Sequence, residues 1–133
     1  MRDIITCLLI DDDTDDQEIF ALAMGGMHIP IVCHFANNGK HALEKLSDES
    51  FIPDFIFLDL NMPRMNGRQC LIELKKISRL DNTPIIIYST CPLEQIAAET
   101  GDLGATGVIR KPNNIKELSE LLAGALNLSV VSN

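Results

Sequence analysis

Two kinds of segment alternate from one end of the chain to the other. Short apolar, β-branched runs stand at Thr6 to Ile10 (TCLLI), Ile29 to Phe35 (IPIVCHF), Phe55 to Leu58 (FIFL), Pro84 to Tyr88 (PIIIY) and Gly107 to Ile109 (GVI). Each is too short for a helix and nearly free of charge, which fits a strand buried on both faces. The segments between them carry apolar residues at helical spacing. Ile19, Phe20, Ala23 and Met24 precede the stop at Gly25-Gly26, and Ala42, Leu43 and Leu46 follow NNG. Leu71, Leu74 and Ile77 mark a third helix, and Ile96 and Ala97 follow Pro92, which suits a first helical turn. The clearest stripe is the last: Ile115, Leu118, Leu121, Leu122 and Ala125, with Asn114 as cap and Glu117 three residues on. All of these stripes are read as core packing.

Five strands alternating with five helices predict an α/β fold, a parallel sheet covered on both faces. The arrangement expected is the flavodoxin-like, doubly wound (βα)5 sandwich with strand order 2-1-3-4-5. No repeat, linker or low-complexity stretch divides the 133 residues. A single domain is expected over 1–133, its core spanning about 5–128, with no room after it for an output domain. A hydrophobic content of 46% is enough for one core, and a net charge of −8 repels nucleic acid and anionic membrane at long range. Neither is an expected partner. No run approaches the ~18 apolar residues of a membrane span, and the start MRDIITCLLIDDD is too short in apolar residues for a signal peptide. Cys7, Cys33, Cys70 and Cys91 lack any C-x-x-C spacing, which argues against zinc. They read as buried small hydrophobes in a reducing, cytoplasmic compartment.

Charge changes the picture at one place. The stretch LLIDDDTDD, Leu8 to Asp16, runs from an apolar strand straight into five carboxylates. At an effective dielectric of about 20, two carboxylates about 4 Å apart repel by roughly 4 kcal/mol, so a positive group belongs there. Open sheets of this kind bind ligands beyond the carboxyl ends of their strands. At that rim, in the expected order, the acids of strand one meet Asp59 at the end of neighbouring strand three. Strand four ends in Ser89 and Thr90, and strand five in Arg110 and Lys111. Acids at this density suit a hard divalent ion such as Mg²⁺. A carboxylate beside such an ion can attack phosphorus, and a metal, a lysine and a hydroxyl supply the charge neutralisation that phosphoryl transfer needs.

From LLIDD through FIFLDLNMPRMNG and PIIIYST to GVIRKP, essentially the whole chain resembles a CheY-like response-regulator receiver domain of two-component signalling. The separations of Asp59, Ser89 and Lys111 match that family too. The resemblance implies that Asp59 is the phosphoacceptor. It makes Asp11 and Asp12 the acidic pair for Mg²⁺ or Mn²⁺, with Asp12 the direct ligand and Asp11 acting mostly through water. Asp59 and the backbone carbonyl of Asn61 complete the metal site. It implies that Ser89 bonds a phosphoryl oxygen and that Lys111 pairs first with the acceptor carboxylate, then with the phosphate. A cis Lys111-Pro112 bond would aim the lysine. The implied phosphodonor is a sensor histidine kinase or a histidine phosphotransfer protein, and the chain would promote its own phosphorylation and dephosphorylation rather than turn over a separate substrate. Output would be contact with a downstream protein through helix four, strand five and helix five.

Other readings fit less well. An EF-hand loop starting at Asp11 would put Asp16 where Gly is needed and Leu22 where Glu is needed. A Mg²⁺ phosphohydrolase with an aspartate nucleophile would want a second acid two residues after Asp59, where Asn61 stands. A pseudo-receiver has no need to retain Asp12, Asp59, Ser89 and Lys111. Asp13, Asp15 and Asp16 read as a solvated helix start favoured by the dipole. Arg110, His28, His34 and His41 read as surface or structural groups, and Met62, Pro63 and Met65 as a loop shaping the site. One departure from the family stands out: Val108 replaces the aromatic residue three positions before the lysine, so a relay through a swinging ring has no ring here.

Overall fold

The structure is a computed structural model that describes residues 4–62 and 65–127. Among these residues the chain alternates β1 (Ile5–Ile10), α1 (Thr14–Met24), β2 (Ile31–Ala36), α2 (Gly39–Leu46), β3 (Phe55–Leu58), α3 (Gly67–Lys75), β4 (Ile85–Ser89), α4 (Leu93–Thr100), β5 (Gly107–Arg110) and α5 (Ile115–Leu126). Short 3-10 turns occupy Ser78–Leu80 and Gly101–Leu103. The strands form one parallel sheet in the order β2-β1-β3-β4-β5, as expected.

Alternation along each strand sends side chains to two separate cores, because successive residues point to opposite faces. Leu8, Ile10, Ile56, Leu58, Ile85 and Ile87 pack under α2, α3 and α4 against Leu46, Leu71, Leu74 and Ile96. Cys7, Leu9, Phe57, Ile86, Tyr88 and Ile109 pack under α1 and α5 against Phe20, Met24, Leu118 and Leu122. Burial on both faces is why these strands read as unbroken apolar runs. The helices start where capping side chains allow. Asp13 Oδ1 accepts from the amides of Asp15 and Asp16, Asn38 from His41, Asn114 from Glu117, and Asn66 forms a reciprocal capping box with Gln69.

Several boundaries and faces differ from the sequence reading. β2 begins at Ile31, not Ile29: Pro30 has no N–H for the ladder, although its carbonyl accepts from Ile5 N at 3.1 Å. α3 stops at Lys75, so Ile77 lies beyond the helix yet still packs on the core. Ile19, Ile115 and Leu121, read as core from their spacing, are 39%, 41% and 40% exposed, and Ala97 is exposed as well. They sit at the margins of stripes whose centres, such as Phe20, Ile96, Leu118 and Leu122, meet the sheet. α5 closes at Asn127 in the left-handed conformation (φ 57°); Leu128, the expected end of the core, lies outside the described residues.

All four cysteines are free thiols, with Cys33 only half-buried. Burial, then the charges of Cys33 and Asp54, pushes the Cys7 thiol up to about 12, and burial raises Cys33 to about 11. Among the described residues no helix is long and apolar enough to cross a membrane.

Candidate functional site

Three residues that follow strand ends are fixed by one repeated device. The amide of Asp11 donates to Ala36 O at the end of β2, that of Asp59 to Ile10 O at the end of β1, and that of Lys111 to Ser89 O at the end of β4, each at 3.0 Å. Every one is thus tied to the last residue of the neighbouring strand. The sheet places the two carboxylates and the ammonium on one rim with little freedom of the backbone. Gly67 at the start of α3 tightens the same region: a Cβ there would lie 2.5 Å from Leu60 Cα and 2.8 Å from Asp59 O. Only glycine lets α3 approach the acceptor strand this closely.

The side chains converge as the rim predicts. Ligand oxygens of Asp11, Asp12 and Asp59 all lie within 4.8 Å of one another. Asp11 is fully buried, Asp59 is 6% exposed, and Asp12 faces solvent. Burial pushes the Asp59 carboxyl up to about 6; Lys111 opposes that rise, while Asp11 reinforces it. Asp11 is raised for the same first reason, with its hydrogen bonds to Lys111 and the Asp13 amide pulling the other way. Asp11, Asp12 and Asp59 share this rim with the single ammonium of Lys111, a set of hard oxygen donors with surplus negative charge. It fits a hard divalent cation such as Mg²⁺. Ser89 is fully buried and its Oγ accepts from Cys91 N at 3.1 Å, whereas Thr90 is exposed. Asn61 N donates to Asp59 Oδ1 at 3.4 Å, and its side-chain amide reaches Cys91 Sγ at 3.2 Å.

Lys111 is where the expectations need correcting. Its Nζ lies 2.8 Å from Asp11 Oδ2, 2.8 Å from Asp16 Oδ2 and 3.7 Å from Asp59 Oδ2. The acceptor carboxylate is therefore its most distant ionic partner of the three. Burial would lower the lysine's pKa, but the hydrogen bonds it donates to Asp11 and Asp16, with the negative charges of Asp11 and Asp59, more than reverse this and raise it. Asp16 is not simply a solvated helix start; Asp13 and Asp15 are exposed at the head of α1, as read. No peptide bond among the described residues is cis, so Lys111-Pro112 is trans. Trans is the lower-energy isomer, and the lysine is aimed by its carboxylate partners instead.

Tyr88, Cys91 and Gly67 were not singled out by their sequence context. Tyr88 lies beneath Lys111, whose Nζ is 5.0 Å from the ring centroid, and packs edge-on against Phe20. Its position next to Ser89 at the end of β4 was the available signal. Arg110 and His28 are exposed, and the His34 ring packs at a tilt against Phe51, 4.8 Å between centroids. Met62 is buried and Met65 packs on the core; Pro63 lies outside the described residues. Val108 is 43% exposed and borders a groove of about 320 Å³ with Leu93, Ile96 and Thr100.

The response regulator receiver domain model matches residues 7–123. The chain belongs to this family. It is 31% identical over 130 residues to the regulatory protein AtoC of Escherichia coli K12, covering 96% of this chain and 26% of that protein. It is 35% identical over 125 residues to a CpxR homolog, a transcriptional regulatory protein of Haemophilus influenzae, covering 92% of this chain and 50% of that one. The receiver thus spans a quarter to a half of these longer relatives. Among solved structures, the phosphorylated cyanobacterial phytochrome response regulator RcpA superposes with a TM-score of 0.82 at 25% identity, over 96% of this chain and 99% of its own.

Proposed function

We propose that this receiver accepts a phosphoryl group on Asp59 from the phosphohistidine of a sensor histidine kinase or histidine phosphotransfer protein, in the cytoplasm, and signals through contact with another protein. The reading concerns the receiver unit itself and holds for a stand-alone chain or one joined to an output domain. The observation that carries it is a buried Asp59 carboxylate set between an acid cluster and a buried ammonium at the rim of the sheet.

Asp11, Asp12, Asp59 and the backbone carbonyl of Asn61 would hold Mg²⁺ or Mn²⁺, which when bound neutralises the carboxylates and the incoming phosphoryl oxygens. An Asp59 carboxylate oxygen attacks phosphorus; a P–O bond forms, the P–N bond breaks, and its electron pair stays on the departing imidazole. Lys111 turns its ammonium to the new phosphoryl oxygens. Ser89, whose Oγ already accepts from Cys91 N, donates its hydroxyl hydrogen to one of them. That contact draws the loop from Ser89 to Pro92 inward and carries the start of α4 with it, so the signal leaves by this loop and needs no ring at Val108.

Incubation with Mg²⁺ and a small acyl phosphate should add one phosphoryl group by intact mass, and none to Asp59→Asn. Equal labelling of the variant would overturn the assignment. Hydrogen exchange should slow across Thr90 to Thr100 on phosphorylation; slowing confined to β5 would place the relay in the strand instead.

A further inference from the structure

Lys111 has more acceptors than its task requires. Its ammonium is shared at equal 2.8 Å distances between Asp11 and Asp16, while Asp59 Oδ2, at 3.7 Å, is beyond hydrogen-bonding reach. Asp11 and Asp59 are held on the rigid strand rim and are nearly or fully buried. Asp16 comes from a different element, the first turn of α1, and is the most exposed of the three at 32%. A carboxylate there returns to water at small cost when it loses its partner, whereas the other two cannot.

We propose that Asp16 is a positioning residue that holds Lys111 away from Asp59 until a phosphoryl group is present, and that it thereby lowers the affinity of the site for that group. The inference rests on the phosphoacceptor reading above. A phosphoryl group on Asp59 adds roughly −1.5 to −2 charge and three strong acceptors, enough to pull the ammonium across. Asp11 can stay paired through this movement, since it lies on the same rim. The Lys111–Asp16 pair is the contact exchanged. Every phosphorylation event must break it, and every dephosphorylation restores it. Asp16 is outside the metal set formed by Asp11, Asp12 and Asp59; its charge is felt by Asp11, but its hydrogen bond is to the lysine, and its proposed action passes through that bond.

The test uses beryllofluoride, a stable mimic of a phosphoryl group, titrated at saturating Mg²⁺. The chain has a single tyrosine and no tryptophan, so fluorescence of Tyr88, under the lysine, reports the event directly. Asp16→Asn should bind beryllofluoride about three- to tenfold tighter, the range expected for losing one partly exposed competing ion pair. Asp16→Glu, which keeps the charge, should stay within about twofold of the unaltered protein. In a Lys111→Met background, Asp16→Asn should give no gain, and absence of binding in both counts as no gain. Unchanged or weaker binding by Asp16→Asn overturns the proposal. A gain of equal size without the lysine does so too, because Asp16 would then act by direct repulsion. If the unaltered protein neither binds beryllofluoride nor takes up a phosphoryl group, the phosphoacceptor reading fails and this inference falls with it. Binding that is normal but indifferent to Asp16 sinks the inference alone.

Discussion

Lys111 and Arg68 are each gripped by two acceptors, and the two grips differ in almost every physical respect. Lys111 is 10% exposed, paired with Asp11 and Asp16, and roofs the ring of Tyr88. Arg68 at the head of α3 reaches Asp102 with both terminal nitrogens, at 2.9 and 3.1 Å, and the carbonyl of Glu99 with one of them. Its geometry is as good as that of Lys111, or better, yet Arg68 and Asp102 are 41% and 64% exposed. Water competes freely for the second pair, whereas it reaches the first only at Asp16, 32% exposed, and is shut out from Asp11. Burial, more than distance, therefore separates a cluster that can be rearranged by chemistry from a clasp that fastens one loop to a helix.

The sharpest way to break the comparison is to empty the buried side of it. Lys111→Met leaves Asp11 and Asp59 facing each other without their cation, and breaking a buried pair by removing one partner typically costs about 3–5 kcal/mol. We expect a loss near the lower end, about 3 kcal/mol, in urea unfolding at pH 7 with a chelator present, because the carboxyls can take up protons instead. Saturating Mg²⁺ should recover part of it. A loss as small as that of an exposed pair would show that the acids do not depend on the lysine.

A second effect follows from Asp59 itself, whose carboxyl is pushed by burial up to about 6 from an ordinary 3.8. A carboxyl raised in the folded state binds its proton more tightly there than in the unfolded chain. Below about pH 4 both states are protonated and the group costs nothing. As pH rises through 4 to 6 the unfolded chain ionises first, so the metal-free protein loses stability, with the full cost present above about pH 6. About 1.4 kcal/mol per pKa unit puts that cost at up to about 3 kcal/mol. Asp59→Asn should therefore stabilise the metal-free protein at pH 7 and flatten its pH dependence between 4 and 6. Melts across this range would refute the account if the variant were less stable at pH 7.

Much of this arrangement was legible in the sequence because backbone pairing carries it. A parallel sheet in the order 2-1-3-4-5 brings the residues after β1, β3 and β5 to one rim, and Asp11, Asp59 and Lys111 each occupy such a position. Strand length and the count from Pro84 favour Ser89 over Thr90 as the hydroxyl, and in the structure Ser89 is buried while Thr90 is exposed. What the pattern does not encode is which of several carboxylates the lysine meets. That depends on how the first turn of α1 is set against β5, and Asp13, Asp15 and Asp16 look alike in sequence. Exposure of Ile115 and Leu121 escaped for a related reason, since helical spacing gives the apolar stripe but not the width of surface available to cover it. The trans Lys111-Pro112 bond corrects an expectation that came from resemblance alone and had no signal in this chain.

The smallest effect is expected on the exposed side of the comparison. Arg68→Ala removes the bidentate contact to Asp102 and the bond to Glu99 O, but both charged groups were already largely hydrated, so nothing buried is left unpaired. Global unfolding should shift less than for any change at Lys111 or Asp59. The clasp nevertheless spans two elements: α3, whose first residue packs on Leu60 behind the acceptor, and the turn Gly101–Leu103 that follows α4. Lys75 Nζ bonds Gly104 O at 2.9 Å and ties the same turn to the far end of α3. Losing Arg68 should therefore act locally, loosening Glu99 to Leu103 while Lys75 keeps Gly104 attached. Amide exchange faster over those residues, with the strand amides unchanged, is the expected signature. High salt should weaken the unaltered clasp towards the variant's behaviour, because exposed charges are screened and the buried lysine is not. A global destabilisation as large as that of Lys111→Met would mean that the surface pair is coupled to the core, and that exposure is not what separates the two grips.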